Sequence, residues 1–282
     1  MRTENELDLR KPQVMTILNV TPDSFYAGSR TPRVAEIERR IGEAVEAGCS
    51  IIDVGGYSSR PGAEVVPPEE EWRRVAEGVG AVRRIAPRTA VSVDTFRASV
   101  AERAVGEFGP LIVNDISAGE LDGRMLPVVA RLGVPYIAMH MKGDPQTMQS
   151  LTAYERDITA EVCAYFEGRI EAMLAAGIRK EHIVLDPGFG FAKTLDQNYE
   201  LLGGLHRITA LGFPVLAGVS RKSMIYKLLG TTPDEALAGT VALGWECLRQ
   251  GATILRVHDT REAVETVRIF EAFGRNVRRQ EA

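Results

Sequence analysis

The chain has 282 residues, a mass of 30.9 kDa and a formal net charge of −4. A net negative charge argues against nucleic acid as a partner, and no apolar run approaches the roughly 20 residues that cross a bilayer. Residues 1–12 are polar and do not resemble a signal peptide, and the three cysteines are scattered. We therefore predict a cytoplasmic globular protein with no membrane partner and with reduced, packing cysteines.

Eight short, continuously apolar runs alternate with helical patterns along the chain. They occupy residues 14–18, 51–54, 90–93, 111–113, 135–139, 183–185, 214–217 and 253–256. Runs of this kind are typical of strands that are buried on both faces, and helical crossovers between them produce a parallel sheet. The sequence predicts an α/β fold: a single (β/α)8 TIM barrel over residues 1–282, with 1–12 as a short N-terminal extension.

Helix boundaries are predicted from stripes and capping residues. The first stripe consists of Ile37, Ile41, Ala44 and Val45. It stops at Gly48, and a second helix begins at the proline and glutamate run of residues 67–71. Thr152 and Glu155 predict a capping box for a helix around residues 158–170. An extra helix is predicted within residues 230–249.

Nearly every predicted strand ends at a polar residue or a polar run. The strand ends are Asn19, Asp53, Asp94, Asn114, His140, Asp186, residues 220–222 and residues 256–258. A doubly wound open sheet is the structural alternative, but it usually gathers its ligand groups near one switch point. Recurrence at all the strand ends favours a closed barrel, in which they share one mouth.

Loops after the first two strands contain candidate anion-binding groups. Asn19 is either a turn former or an oxygen ligand for Mg²⁺ beside phosphate. Residues 55–63 contain three glycines, two serines and Arg60, which offer backbone N–H groups, hydroxyls and a guanidinium to an anion. The length and glycine content of this segment predict mobile loops after strands 1 and 2.

Two carboxylates and an amide form a second candidate set. Asp94 with Thr95 could instead cap the next helix, and Asp186 could belong only to a turn. Together with Asn114, however, the two aspartates suit the edge of a heteroaromatic ring that carries amino and ring N–H donors.

The last two strands end in cationic residues. Residues 218–223 run from a strand into a helix start, where N–H groups, Lys222 and Ser223 favour an anion or a close ligand. Strand alternation places Arg256 and His258 on one side, at the usual phosphate position of a barrel. Two other histidines, His182 and His206, are predicted at the surface, and His140 stays undecided.

With these residues in view, the sequence resembles the dihydropteroate synthases, the pterin-binding barrels of folate biosynthesis. The motifs that carry the resemblance are residues 18–25, 53–63, 94–95, 114–115, 139–143, 186–193, 218–223 and 256–259. They follow the family's order and spacing over essentially the whole chain. Tyr57, Ser59 and Ala27 depart from residues that are frequent in the family.

The resemblance implies a transferase that condenses (7,8-dihydropterin-6-yl)methyl diphosphate with 4-aminobenzoate, and that releases pyrophosphate. It implies Mg²⁺ as cofactor with Asn19 as its ligand, a homodimer, and sulfonamides as competitors for 4-aminobenzoate. The implied pterin site is Asp94, Asn114, Met139, Asp186, Gly218 and Lys222. The implied diphosphate site is Asn19, Ser59, Arg256 and His258, and the implied 4-aminobenzoate site is Phe25, Ser59, Arg60, Pro61, Phe191 and Ser223. The implied catalytic residues are Asn19, Arg60, Lys222, Arg256 and His258.

The chemistry favours a dissociative displacement, because the dihydropterin can delocalise positive charge on the methylene while Mg²⁺ and cations stabilise the departing diphosphate. Three alternatives stay open. A methyltetrahydrofolate:corrinoid methyltransferase would share the pterin set but needs no diphosphate site. An aldolase would use Lys222 as a Schiff base. A catalytically silent pterin-binding barrel would keep the pocket without turnover.

Overall fold

A closed barrel of eight parallel strands forms the centre of the molecule. The computed structural model describes residues 8–21, 30–57 and 66–280. The strands are β1 Gln13–Asn19, β2 Ile51–Gly55, β3 Ala90–Asp94, β4 Ile112–Asp115, β5 Tyr136–Met139, β6 Ile183–Asp186, β7 Leu216–Ala217 and β8 Ile254–Val257. Their order is β6-β5-β4-β3-β2-β1-β8-β7, and a parallel bridge between Leu185 and Val215 joins the two edges. The predicted TIM barrel is confirmed.

Helices surround this barrel and cover its outer face. They are α1 Arg30–Ala47, α2 Pro68–Ile85, α3 Ala98–Phe108, α4 Met125–Leu132, α5 Ile158–Ala175, α6 Leu195–Gly203, α7 Leu205–Thr209, α8 Ser223–Leu229, α9 Leu237–Arg249 and α10 Thr260–Gln280. The largest apolar cluster lies between these helices and the outward-facing strand residues. None of the described helices is both long and apolar enough to cross a membrane.

The barrel interior is apolar at its amino end and polar at its carboxyl end. An inner cluster takes one residue from each of seven strands: Met15, Ile51, Ile112, Ile137, Val184, Leu216 and Ile254. Because side chains along a strand point inward at every second position, the residues two places later also face the interior. These are Ile17, Asp53, Asn114, Met139, Asp186, Gly218 and Arg256, of which four carry polar side chains. The strand period therefore directs the polar set to one rim.

Two details predicted from the sequence are wrong, and a third concerns a helix that is present but shorter than the range predicted for it. Val45 was assigned to the buried stripe of α1, but it is 39% exposed, because it lies at the edge of that face. The predicted capping box of Thr152 and Glu155 is wrong: Asp157 is the N-cap of α5, and its side chain accepts a hydrogen bond of 2.8 Å from the amide of Ala160. The predicted helix within 230–249 begins only at Leu237, after a short 3-10 turn at Pro233–Glu235.

The predictions for the first two loops, the cysteines and two of the histidines have separate outcomes. Residues 22–29 and 58–65, which follow β1 and β2, lie outside the described residues, so the predicted loop mobility stays a prediction. Cys247 is buried, and Cys49 and Cys163 are half-buried; burial raises the pKa of each thiol, which agrees with packing residues. His206 is exposed and His182 is half-buried.

Candidate functional site

The carboxyl ends of neighbouring strands bring the predicted polar residues to one rim. In the parallel register Asn19 of β1 pairs with Gly55 of β2, and Gly55 pairs with Asp94 of β3. Asp94 in turn pairs with Asn114 of β4. On the other side, β5 pairs Met139 with Asp186 of β6. The predicted convergence of strand ends is thus present in the structure.

Arg256 of β8 bridges two carboxylates at the centre of this rim. Its Nε donates to Asp53 Oδ2 at 2.7 Å, and one terminal nitrogen donates to Asp94 Oδ2 at 2.7 Å. The same oxygen of Asp53 accepts from the amide of Asn114 at 3.1 Å. The side chain of Asp53 is fully buried, whereas 21% of the Arg256 side chain and 19% of the Asp94 side chain stay exposed to the mouth. Asp53 therefore supports two residues that can reach a ligand.

The electrostatics of Asp94 are set mainly by burial. Burial raises the pKa of Asp94 to about 7; Arg256 opposes this shift, and the neighbouring carboxylates of Asp53, Glu71 and Asp115 add to it. A carboxyl group with this pKa changes charge near neutral pH, which is a common property of ligand-binding sites.

Asp186 and Lys222 form the opposite side of the mouth. Burial raises the pKa of Asp186, and Lys222 acts against that shift. Burial lowers the pKa of Lys222 to about 8, although Asp186 favours its charged form. The Nζ of Lys222 donates to the carbonyl of Phe189 and lies 4.7 Å from the centre of the Phe191 ring. The turn interpretation of Asp186 holds in part, because its Oδ1 accepts from the amide of Gly188 at 2.8 Å.

An apolar wall adjoins these polar groups. Buried residues of this cluster are Ile116, Met139, Met141, Met148 and Ala192, with Phe96 and Phe191 packed against them. Gly218 leaves room beside the wall, because a Cβ there would lie 3.8 Å from Lys222 Nζ and 3.9 Å from Arg256 Cβ. A flat apolar face beside carboxylates and a lysine can hold a heteroaromatic ring by both its face and its edge.

The remaining predicted residues are less closely joined. Asn19 is half-buried, and its Oδ1 would lie 3.3 Å from a Cβ on Gly55. Ser223 is half-buried at the start of α8, and exposed His258 donates its backbone N–H to Ser220 Oγ at 3.1 Å. Four predicted residues lie outside the described part of the chain: Phe25, Ser59, Arg60 and Pro61.

Two alternative interpretations of single residues are settled by contacts. The N-cap of α3 is Arg97, so Asp94 and Thr95 do not cap it; Thr95 Oγ1 instead donates to Glu71 at 2.5 Å. Arg221 is partly exposed and makes structural contacts: it pairs with Asp259 at 2.8 Å and donates to the carbonyls of Pro233 and Asp234.

Sequence reasoning missed residues whose role depends on distant partners. Asp53 was noted as a strand end but was not assigned to a site, although its position two residues after Ile51 signals that it faces inward. Undecided His140 is buried, and its Nδ1 accepts from the buried Lys193 at 2.9 Å. Burial lowers the pKa of His140 well below its usual range, and the charge of Lys193 lowers it further. No signal in the sequence points to this pair, because the two residues are 53 positions apart.

A protein-only metal cage is absent from the described residues, which contain no group of three or more His, Cys, Asp or Glu side chains arranged to hold an ion. Among the described residues, the carboxylates of Asp53 and Asp94 on the next two strands are engaged by Arg256. The donor chemistry therefore fits an ion such as Mg²⁺ that takes an amide oxygen from the protein and its other oxygens from water and a substrate phosphate.

Comparisons with known proteins identify the family of the chain. The model of the pterin-binding enzyme family matches residues 15–258. The dihydropteroate synthase of Escherichia coli K12 is 45% identical over 268 residues, which cover 94% of this chain and 93% of that protein. A Xanthomonas albilineans dihydropteroate synthase structure with 4-aminobenzoic acid has a TM-score of 0.86 and 39% identity, with 95% of each chain covered. Another from that organism, with 7,8-dihydropteroate, has a TM-score of 0.84 and 37% identity, covering 96% of this chain and 97% of the other. The chain therefore belongs to the pterin-binding enzyme family.

Proposed function

We propose that this chain is a dihydropteroate synthase, a transferase that joins (7,8-dihydropterin-6-yl)methyl diphosphate to 4-aminobenzoate. One observation carries the proposal: Asp94, Asn114, Asp186 and Lys222 face the same mouth as Arg256. A ring-edge site and an anion site then lie next to each other, as a pterin diphosphate requires. The relatives described above support the same activity.

The pterin ring is held by its edge and by its face. The carboxylates of Asp94 and Asp186 and the amide oxygen of Asn114 accept from the amino and ring N–H groups, and Lys222 donates to a ring acceptor. Carboxylates that accept such bonds are short-range, directional partners. Met139 and the open space at Gly218 receive the flat face.

Arg256 binds the diphosphate, together with Asn19, His258 and Ser59. Arg256 is paired with Asp53 and Asp94, so its guanidinium is held in place at the mouth. Asn19 would hold Mg²⁺ through its amide oxygen, and such an ion would supply positive charge beside the departing diphosphate. Because Asp94 and Arg256 form an ion pair, binding of the pterin ring to Asp94 affects binding of the diphosphate to Arg256.

The reaction breaks the C–O bond to the diphosphate and forms a C–N bond to the aniline nitrogen, which then loses a proton to solvent. Arg256 stabilises negative charge on the leaving group, and the dihydropterin delocalises positive charge on the methylene. Phe191 and Ser223, with Phe25, Ser59, Arg60 and Pro61, orient 4-aminobenzoate and exclude water. The path is dissociative because the aniline is a weak nucleophile.

The direct test mixes the purified chain with both substrates and Mg²⁺, and follows dihydropteroate and pyrophosphate. Both products should appear in equal amounts and should require all three components.

Asp186→Ala should weaken pterin binding by more than about tenfold, as expected for the loss of a charged hydrogen-bond partner. Exposed Glu181→Ala, at the other end of β6, is the matched control. Methyl transfer from methyltetrahydrofolate to a corrinoid, with no dihydropteroate formed, would instead favour the methyltransferase, and pterin binding without turnover would favour the silent barrel.

We further propose that the 282 residues act as one domain in the cytoplasm and that the chain forms a homodimer. Exposed apolar residues on α10 support the dimer: Ile269 is 62% exposed and Phe273 is 59% exposed. Phe273 lies against Trp245 of α9, with ring centres 5.9 Å apart. A second copy of this chain would cover that surface.

A further inference from the structure

The loop after β6 has an unusual set of backbone contacts. The β6 loop, residues 187–194, connects β6 to α6. Its five successive carbonyls at positions 188–192 each accept a hydrogen bond from a side chain. The donors, in chain order of the acceptors, are Lys193, Lys222, Gln149, Lys193 and Tyr154. The loop also contains three residues with positive φ: Gly188, Gly190 and Ala192. Side chains, not a regular ladder, hold it in place.

Lys193 makes more of these contacts than any other donor to the five carbonyls. Its Nζ donates to the carbonyls of Gly188 and Phe191 at 3.0 and 2.9 Å, and to Nδ1 of His140 at 2.9 Å. An ammonium group has three donors, so all of them are used inside the protein. Lys193 is only 5% exposed, and it therefore has no free donor to offer to a substrate.

The contacts of the loop reach two residues of the proposed pterin site and one residue of the proposed 4-aminobenzoate site. Gly188 N–H binds the carboxylate of Asp186, and the carbonyl of Phe189 accepts from Lys222. Phe191 presents its ring to the same lysine. Lys193 fixes the residues on either side of these contacts, while His140, which follows β5, anchors Lys193 to the barrel.

We propose that Lys193 is a positioning residue that holds the β6 loop against His140, and so places Asp186 and Lys222 for the pterin ring and Phe191 beside them for 4-aminobenzoate. The inference rests on the proposed function and deepens it. A lysine buried with three partners costs desolvation energy, and burial lowers its pKa to about 7. An apolar side chain at this position would avoid the desolvation cost. It could not hydrogen-bond to the carbonyls of Gly188 and Phe191 and to His140, so it would not connect the loop to the barrel.

The test uses the full chain and compares Lys193→Met with Arg169→Met. Arg169 is the matched control because it donates to the carbonyl of Ala118, which has positive φ in the loop after β4. We expect Lys193→Met to raise KM for the pterin diphosphate by about tenfold or more while kcat changes by less than about threefold. Hydrogen exchange at amides 188–192 should accelerate in this variant. Arg169→Met should lose thermal stability without the change in KM.

A rescue experiment separates positioning from a general loss of stability. Lys193→Ala should recover pterin affinity when ethylammonium is added, since the cation replaces the missing group, and ethanol should not have this effect. If Lys193→Met does not fold, Lys193→Gln replaces it under the same criteria. Unchanged KM in a folded variant, an equal change in Arg169→Met, or no recovery with ethylammonium overturns the proposal. Wild-type chain that forms no dihydropteroate would contradict the proposed function instead.

Discussion

At the scale of single residues, Asp94 has an ionisation that responds to pH near neutrality. Its pKa is about 7 because it is buried, so the carboxylate is charged above pH 7 and takes up a proton below it. The groups that face it are Arg256, Asp53, Glu71 and Asp115. Only the charged form accepts two N–H bonds from a ring edge.

We therefore expect the affinity for a pterin without diphosphate to rise as the pH increases from 5.5 to 7.5. Asp94→Asn should weaken binding about tenfold or more, because a hydrogen bond to a charged group contributes about 1.5–3 kcal/mol. It should also flatten the pH dependence. Calorimetric titration across this range measures both effects, and a flat wild-type profile would show that Asp94 does not titrate in contact with the ring.

Asp53 offers a second prediction about single residues, because it supports Arg256 and Asn114 without reaching the mouth. Asp53→Asn keeps the volume but removes the charge that orients the guanidinium. We expect KM for the diphosphate substrate to increase about tenfold, because a guanidinium that is no longer held in place binds that substrate less well. Steady-state kinetics with each substrate varied in turn will show whether the change is confined to the diphosphate substrate.

The control for Asp53→Asn is Asp115→Asn. Asp115 is equally buried, but it binds Tyr136, Ser117 and the amide of Gly119 in the loop after β4. Its replacement should lower the melting temperature with little effect on KM. If both variants changed KM alike, the central role of Asp53 would be refuted.

At the scale of structural elements, the β6 loop requires glycine at position 188. Gly188 has φ of +67°, and a Cβ there would overlap the backbone carbonyl oxygen of His140. That carbonyl cannot easily move, since the amide of His140 is bonded to the carbonyl of Asp186 at 2.9 Å. The close approach of β5 and the β6 loop therefore depends on the missing side chain.

Gly188→Ala should lower pterin affinity by more than about tenfold, because the loop must shift to relieve the overlap. Gly133→Ala is a matched control: its φ is +66°, but no atom lies within 4 Å of the added Cβ. Gly133→Ala should lower the free energy of unfolding only by the cost of a side chain on a left-handed backbone, about 1–2 kcal/mol. Thermal melting and pterin titration of the two variants will test this, and equal losses of affinity would contradict the overlap argument.

Elements that follow from local periodicity were predictable, and those that follow from distant contacts were not. All eight strands were foreseen, and Asn114 and Asp186 follow from inward-facing Ile112 and Val184. The start of α5 was misplaced because residues 152–154 are held by other elements: Gln197 donates to the carbonyl of Thr152, and Tyr154 donates to that of Ala192. Such contacts leave no periodic trace in the sequence.

At the scale of the whole molecule, the barrel separates stability from chemistry along its axis. The amino end is closed by the apolar cluster of seven strands, and the carboxyl end holds nearly all the buried charge of the interior. Buried Asp53 and Asp186 are tolerated there because Arg256 and Lys222 lie beside them. Substitutions near the apolar end should therefore affect folding before they affect substrate binding.

The outer surface supports a last prediction, the association of two copies through α10. Ile269 and Phe273 are four residues apart on one face of the helix, and burying them would remove apolar surface from water. Wild-type chain should behave as a particle of twice 30.9 kDa in light scattering. Replacing both residues by glutamate should halve that mass and leave the circular dichroism spectrum unchanged. Leu174→Glu on α5, where the side chain is 43% exposed, should remain a dimer. A double variant that keeps the wild-type mass would place the dimer interface elsewhere, and a monomeric wild type would refute the dimer itself.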